Sequence, residues 1–244
     1  MYLSNRLYAI TGLVLIAIAV CFLIGGGLGM AVSSTDPTSK ADTQNMLKDI
    51  NDHHTLAVIS TVFSVLLDSA LTLAISGLTY LVFRDRSRLL ATTFLIAFIG
   101  SSVLSSVTDG IDASTIVLAK DFAHGGAGLN AGDPAILELT HVLQTISSLV
   151  GSWGGTMLAI AFLTLGWLIA RGPAGNVNPP KAIGWIIIVA GIASVVGWAQ
   201  FATGALGFVS FIFFAITTLI FTIWLGIWLI TNSSKLPLPD GAGA

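Results

Sequence analysis

The stretch LGFVSFIFFAITTLIFTIWLGIWLI, Leu206–Ile230, carries no charged residue. A helix needs about 20 mostly apolar residues to cross the hydrocarbon of a bilayer, and this run exceeds that. Working outward from it, five further stretches have the same character: Ala182–Thr203, Ile146–Ala170, Leu89–Leu118, Thr55–Phe83 and Leu7–Met30. Together they predict an all-α fold, a polytopic membrane helical bundle of about six transmembrane helices. The bundle is expected to occupy residues 1–232 as one unit, with a cytoplasmic tail over 233–244.

Composition points the same way. Of the 244 residues 55% are hydrophobic and 9% charged, against about 25% charged in a typical soluble domain. Lipid is therefore the expected solvent for much of the surface. A net charge of −2 without a basic stripe excludes nucleic acid as a partner. The single cysteine, Cys21, can form no internal disulfide and no thiol metal site. The apolar part of the first stretch is longer than the roughly 7–15 residues of a signal core, so it reads as a retained span.

Lys and Arg in short loops set orientation. Arg6, Arg84, Arg86, Arg88, Arg171, Lys181 and Lys235 fall on one side, and Lys40, Lys48 and Lys120 on the other. That asymmetry predicts a cell-membrane protein with both termini cytoplasmic. Most acids and all four histidines, His53, His54, His124 and His141, then lie outside. The polar stretch Ser33–His54 should turn and re-form a helix. Asp133 and Pro134 are a fitting N-cap and first residue for a helix that starts ahead of the fourth span.

Asp68 sits near the middle of the second span. An acid at the bilayer centre costs roughly 2.5–3.5 kcal/mol on insertion scales, so it normally faces protein or trapped water. It reads either as a cation-responsive group or as a packing acid, and its side chain is expected to face the bundle interior in protonated form. Ser102, Ser105, Asp109 and Asp112 repeat at helical spacing and share one face. Glu138, His141, Thr145, Ser148 and Ser152 do the same on the next helix. These stripes, with His54, outline a candidate polar site in the outer half; the competing reading is ordinary hydrogen bonding between helices.

Glu138-Leu139-Thr140-His141 has the Glu-x-x-His spacing of di-metal bundles, but one copy is half of what such a site needs. A mononuclear site from His54, His141, Asp109 and Asp112, or a bis-histidine haem, ranks below the non-metal readings, and no cofactor is predicted. Gly25–Gly27 with Gly29, and Gly151 through Gly155, carry the small-residue spacings of close helix contact.

The order of several motifs resembles the domain-of-unknown-function family 4386, a group of bacterial multi-pass membrane proteins. The motifs are Arg6-Leu7-Tyr8-Ala9-Ile10-Thr11-Gly12 and Val65-Leu66-Leu67-Asp68-Ser69-Ala70-Leu71 ahead of a basic turn. His141 follows, then Leu165-Gly166-Trp167-Leu168-Ile169-Ala170-Arg171 and Pro180-Lys181-Ala182-Ile183-Gly184-Trp185. The insertion Gly125–Asp133 and the short loop before the last span depart from the pattern. The resemblance implies a compact helical bundle, supplies no activity, and makes Asp68 and His141 the first choices for any shared site.

No nucleophile–base pair is legible, so the chain is read as non-catalytic. The leading expectation is an accessory or structural subunit that packs against other membrane protein subunits. The first alternative is an outward-facing protein that binds or transports a small ligand or ion through Asp68 and the polar stripes. The second is a membrane metal or haem protein.

Overall fold

The computed structural model describes residues 2–32, 39–126, 128–172, 178–198 and 205–236. Among these the regular structure is helical throughout: α1 (Tyr2–Val32), α2 (Lys40–Asp52), α3 (His54–Val65), a π-helical segment (Leu66–Leu71), α4 (Thr72–Phe83), α5 (Arg88–His124), α6 (Pro134–Ala170), α7 (Lys181–Trp198) and α8 (Ala205–Asn232). Four of them, α1, α5, α6 and α8, are long and apolar enough to cross a membrane; α3, α4 and α7 are shorter apolar helices. The end of the fifth expected span, the Ser33–Thr38 part of the first loop and the tail beyond Leu236 lie outside the described residues.

Local chemistry accounts for several boundaries. Ser39 caps α2 by accepting from the Asp42 amide at 3.2 Å, while its own amide donates to the Asp42 carboxylate at 3.1 Å. This reciprocal box satisfies two donors that a helix start leaves orphaned. Asp133 accepts from the Ala135 amide at 2.9 Å, so α6 begins at Pro134 as anticipated. The second expected span is not one regular helix. It is α3 and α4 joined by the π segment, which contains Asp68. Hydropathy is blind to this interruption, because the residues on either side are equally apolar.

The helices α5 and α6 have 37 residues each. At 1.5 Å per residue each is about 55 Å long, well beyond a hydrocarbon layer of about 30 Å. Length is therefore available at one end of each for polar residues.

The chain divides into two compact units, and the divisions fall inside α1, α5, α6 and the π segment. The first unit comprises Met1–Val20, Ala70–Val103 and Ser152–Ala244. It is closed by glycine contacts. A β-carbon at Gly12 would lie 2.5 Å from the Gly226 carbonyl oxygen, and one at Gly184 would lie 2.5 Å from the Ala170 amide nitrogen. Only glycine permits backbones to approach this closely. Around these contacts Ile183, Ile187 and Ala190 of α7 are fully buried, and Ser194 donates to the Gly155 carbonyl at 3.1 Å. Phe94 stacks on Phe98 at 5.2 Å, and Phe162 meets Phe221 edge-on at 5.1 Å. On the turn before α5, Arg86 lies 5.1 Å from the Phe83 ring centre and donates to Asn178. Burial lowers its pKa from the ordinary guanidinium value.

The second unit comprises Cys21–Ser69 and Leu104–Gly151. Here side chains, more than backbones, make the contacts. The amphipathic α2 seats Leu47 against Ala119, Phe122 and Ile136. Val32, Ala57 and Ile116 form a second cluster, and Ile50 of α2 packs against both. Ser60 donates to the Gly25 carbonyl at 2.9 Å.

Candidate functional site

The six residues singled out as a candidate polar site separate into different settings. Glu138 and His141, on the first turns of α6, both engage α2. Glu138 forms an exposed ion pair with Lys40, and His141 Nδ1 lies 3.1 Å from the Thr43 hydroxyl. Thr43 already donates its proton to the Ser39 carbonyl at 2.9 Å. It must therefore accept from His141, which assigns the ring proton to Nδ1. These two residues hold α2 onto the start of α6.

His54 is exposed at the first residue of α3. Asp109 is buried within α5. The side chain of Asp68 lies outside the described residues, so its expected inward orientation receives no structural account; its backbone belongs to the π segment. Such segments occur often at functional positions in helices. Among the described residues no three of His, Cys, Asp and Glu come together in a way that could hold a metal ion.

Asp112 is the member of the set that lines a cavity. The cavity, of about 180 Å³, lies within the second unit, with Asp112, Thr115 and Gln144 on one part of its wall and Met46, Ile50 and Ser60 on others. Asp112 keeps much of its own surface open although it sits among packed helices, as a carboxylate facing a cleft does. Gln144 donates its amide to the Thr115 hydroxyl at 3.0 Å and also hydrogen-bonds the Asp112 carboxylate. Thr115 is 1% exposed and donates in turn to the Ile111 carbonyl at 3.0 Å. One amide thus fixes an acid of α5 against a residue of α6.

Gln144, Thr115, Ser60 and the contribution of α2 were not anticipated from sequence. The available signal was spacing: Gln144 follows His141 by three residues, and Thr115 follows Asp112 by three. Both lie one helical step beyond residues of the stripes already drawn.

Residues 10–232 match the profile of the family described as "Domain of unknown function (DUF4386)". No curated protein and no solved structure matches the chain.

Proposed function

This chain belongs to the DUF4386 family, and from that premise we propose that it is a six-span, non-catalytic membrane protein whose outer half binds a small ligand. The observation that carries the reading is the cavity around Asp112, with its carboxylate positioned by Gln144 and another part of its wall supplied by α2. A membrane helix retains a costly acid where that acid meets water, a partner or a ligand.

Six spans are supported by the four long apolar helices together with α7 and the α3–α4 pair. The 18 residues of α7 extend about 27 Å, close to the hydrocarbon thickness. The Lys and Arg asymmetry supports cytoplasmic termini in the cell membrane. In a Cys21→Ser background, Ser87→Cys and Ser39→Cys should label from opposite sides of sealed vesicles. Labelling from one side sinks the topology.

The ligand reading predicts that Thr61→Cys in that background reacts with an impermeant thiol reagent from the same side as Ser39→Cys. Ala57→Phe, which fills the cavity, should block the reaction. A Thr61→Cys that reacts only after detergent solubilisation would place this wall against lipid and overturn the reading.

A second reading, the accessory subunit, is supported by Gly26, Gly27 and Gly110. A β-carbon at any of them would meet nothing within 4 Å, which suits lateral docking of another helix. Gentle purification from native membranes tests it: stoichiometric co-migration of other membrane proteins, weakened by Gly26→Leu, is the expected result. A monodisperse monomer argues against it.

A further inference from the structure

Resting on the ligand-binding reading above, we propose that the cavity in the second unit is selective for a protonated primary amine with a short apolar body. The inference comes from counting which hydrogen-bonding capacities remain on its wall. Thr115 donates to the Ile111 carbonyl, and Ser60 donates to the Gly25 carbonyl. Each hydroxyl proton is therefore committed to a backbone oxygen, leaving oxygen lone pairs. The Gln144 amide nitrogen serves Thr115 and Asp112. Its carbonyl oxygen is left as an acceptor. The orientation of that amide is fixed by the same bookkeeping, because Thr115 has no proton to offer and must receive one. Asp112 contributes a carboxylate with more lone pairs than one amide hydrogen can satisfy.

Thr61, also on the wall, has a hydroxyl that can donate or accept; the described wall is otherwise rich in acceptors, with one negative charge at Asp112. Among the described residues no Lys, Arg or His lines it. A ligand that complements it brings several donors and one positive charge, which describes R–NH₃⁺. An anion or carboxylic acid meets repulsion and unmatched acceptors. A quaternary ammonium has the charge and lacks the N–H donors. A divalent metal ion asks for a cluster of ligating side chains, and among the described residues Asp112 is the single carboxylate on this wall.

The remaining wall sets the rest of the ligand. Met46 and Ile116 are buried hydrophobic residues, and Ile50 is half-buried. An apolar cavity of about 150 Å³ holds a benzene molecule, so 180 Å³ takes a ligand of similar size. Two of these apolar side chains, Met46 and Ile50, come from α2, so the Lys40–Glu138 and Thr43–His141 contacts position the wall against which the ligand's tail lies.

The test uses the full chain in nanodiscs and equilibrium dialysis with radiolabelled n-butylammonium, 1-butanol, butyrate and tetramethylammonium. Saturable one-site binding of n-butylammonium is expected, with the other three weaker by about tenfold or more, the scale of a lost charge-assisted hydrogen bond. Asp112→Asn should weaken n-butylammonium binding by a similar factor, and Ala57→Phe should remove it. Should Asp112→Asn fail to fold, the ranking of the four probes on the wild-type chain still decides. Saturable binding of 1-butanol or butyrate that equals that of n-butylammonium and is lost in Ala57→Phe overturns the amine class while keeping the cavity. Absence of saturable binding for all four probes overturns the amine class and counts against the ligand reading itself.

Discussion

The two units solve the problem of holding helices together in opposite ways. The first brings backbones into contact: Gly12 against Gly226, Gly166 against Gly184, and Gly191 with its β-position 3.2 Å from the Ala159 carbonyl. The second sets Gly25 and Gly29 against the side chains of Phe63 and Ser60, 3.5 and 3.3 Å from their β-positions, and closes with side chains: Leu47 in its cluster, Thr43 on His141, Gln144 on Thr115. Backbone contact consumes the volume between helices, whereas side-chain contact leaves gaps that polar groups can line. Accordingly the cavity of the second unit is lined by Asp112 and Gln144, while a groove of the first, between Trp167 and Trp185, is apolar.

The largest effect that can break this contrast is at the glycines. Gly184→Leu would press a side chain onto the backbone of Ala170, and overpacking of this kind costs about 1–3 kcal/mol or more. Monodisperse protein should be lost in size-exclusion chromatography, whereas Gly26→Leu should retain it. Equal yields from the two would erase the distinction between units. The next effect is Leu47→Ala. Leu47 is fully buried, and such truncations cost about 2–5 kcal/mol. Amide exchange should accelerate across Lys40–Asp52 and stay unchanged in α7 and α8; acceleration in both would join what is here separated.

Smaller effects sharpen how α2 is held. Thr43→Val removes the acceptor for His141 and should cost about 0.5–1.5 kcal/mol. It should be visible as a modest loss of α2 protection. Lys40→Ala should matter least, because its pair with Glu138 is exposed and salt screens it. Its effect should vanish in high salt. A loss larger than that of Thr43→Val, or one insensitive to salt, would reverse the ranking of the two anchors.

These outcomes also mark how far residue patterns alone lead. The helical class and the start of α6 are legible, because an apolar run and a Pro after an N-cap act locally. The stripe through Asp109 and Asp112 is legible as a face; its division into a buried acid and a cavity acid is not, since that depends on what the neighbouring helices bring. Gln144 escapes notice because an amide carries no charge, although it organises the site. Glu138 and His141 attract attention as a metal spacing, yet their partners Lys40 and Thr43 lie some hundred residues earlier and turn them into anchors. Several glycines in the motifs that resemble the family, Gly12, Gly166 and Gly184, prove to be close-approach positions of the first unit. The family resemblance therefore rests partly on packing, while the cavity residues Asp112 and Gln144 lie outside those motifs.

The π-helical segment at Leu66–Leu71 has a consequence for sequence comparison. A π turn closes on i→i+5 and so accommodates one residue more than the α-helical turn it replaces. At 3.6 residues per turn, an extra residue left in a regular α-helix would rotate everything after it by about 100°, and the wider π turn absorbs that rotation. Deleting one residue between Leu66 and Leu71 would restore an uninterrupted α-helix and leave Ile75, Ser76 and Thr79 on the face on which they are buried. Aligning this chain with another that runs as regular α-helix through the same span therefore requires a one-residue gap beside Asp68. Without the gap, every position of α4 is compared with the wrong face.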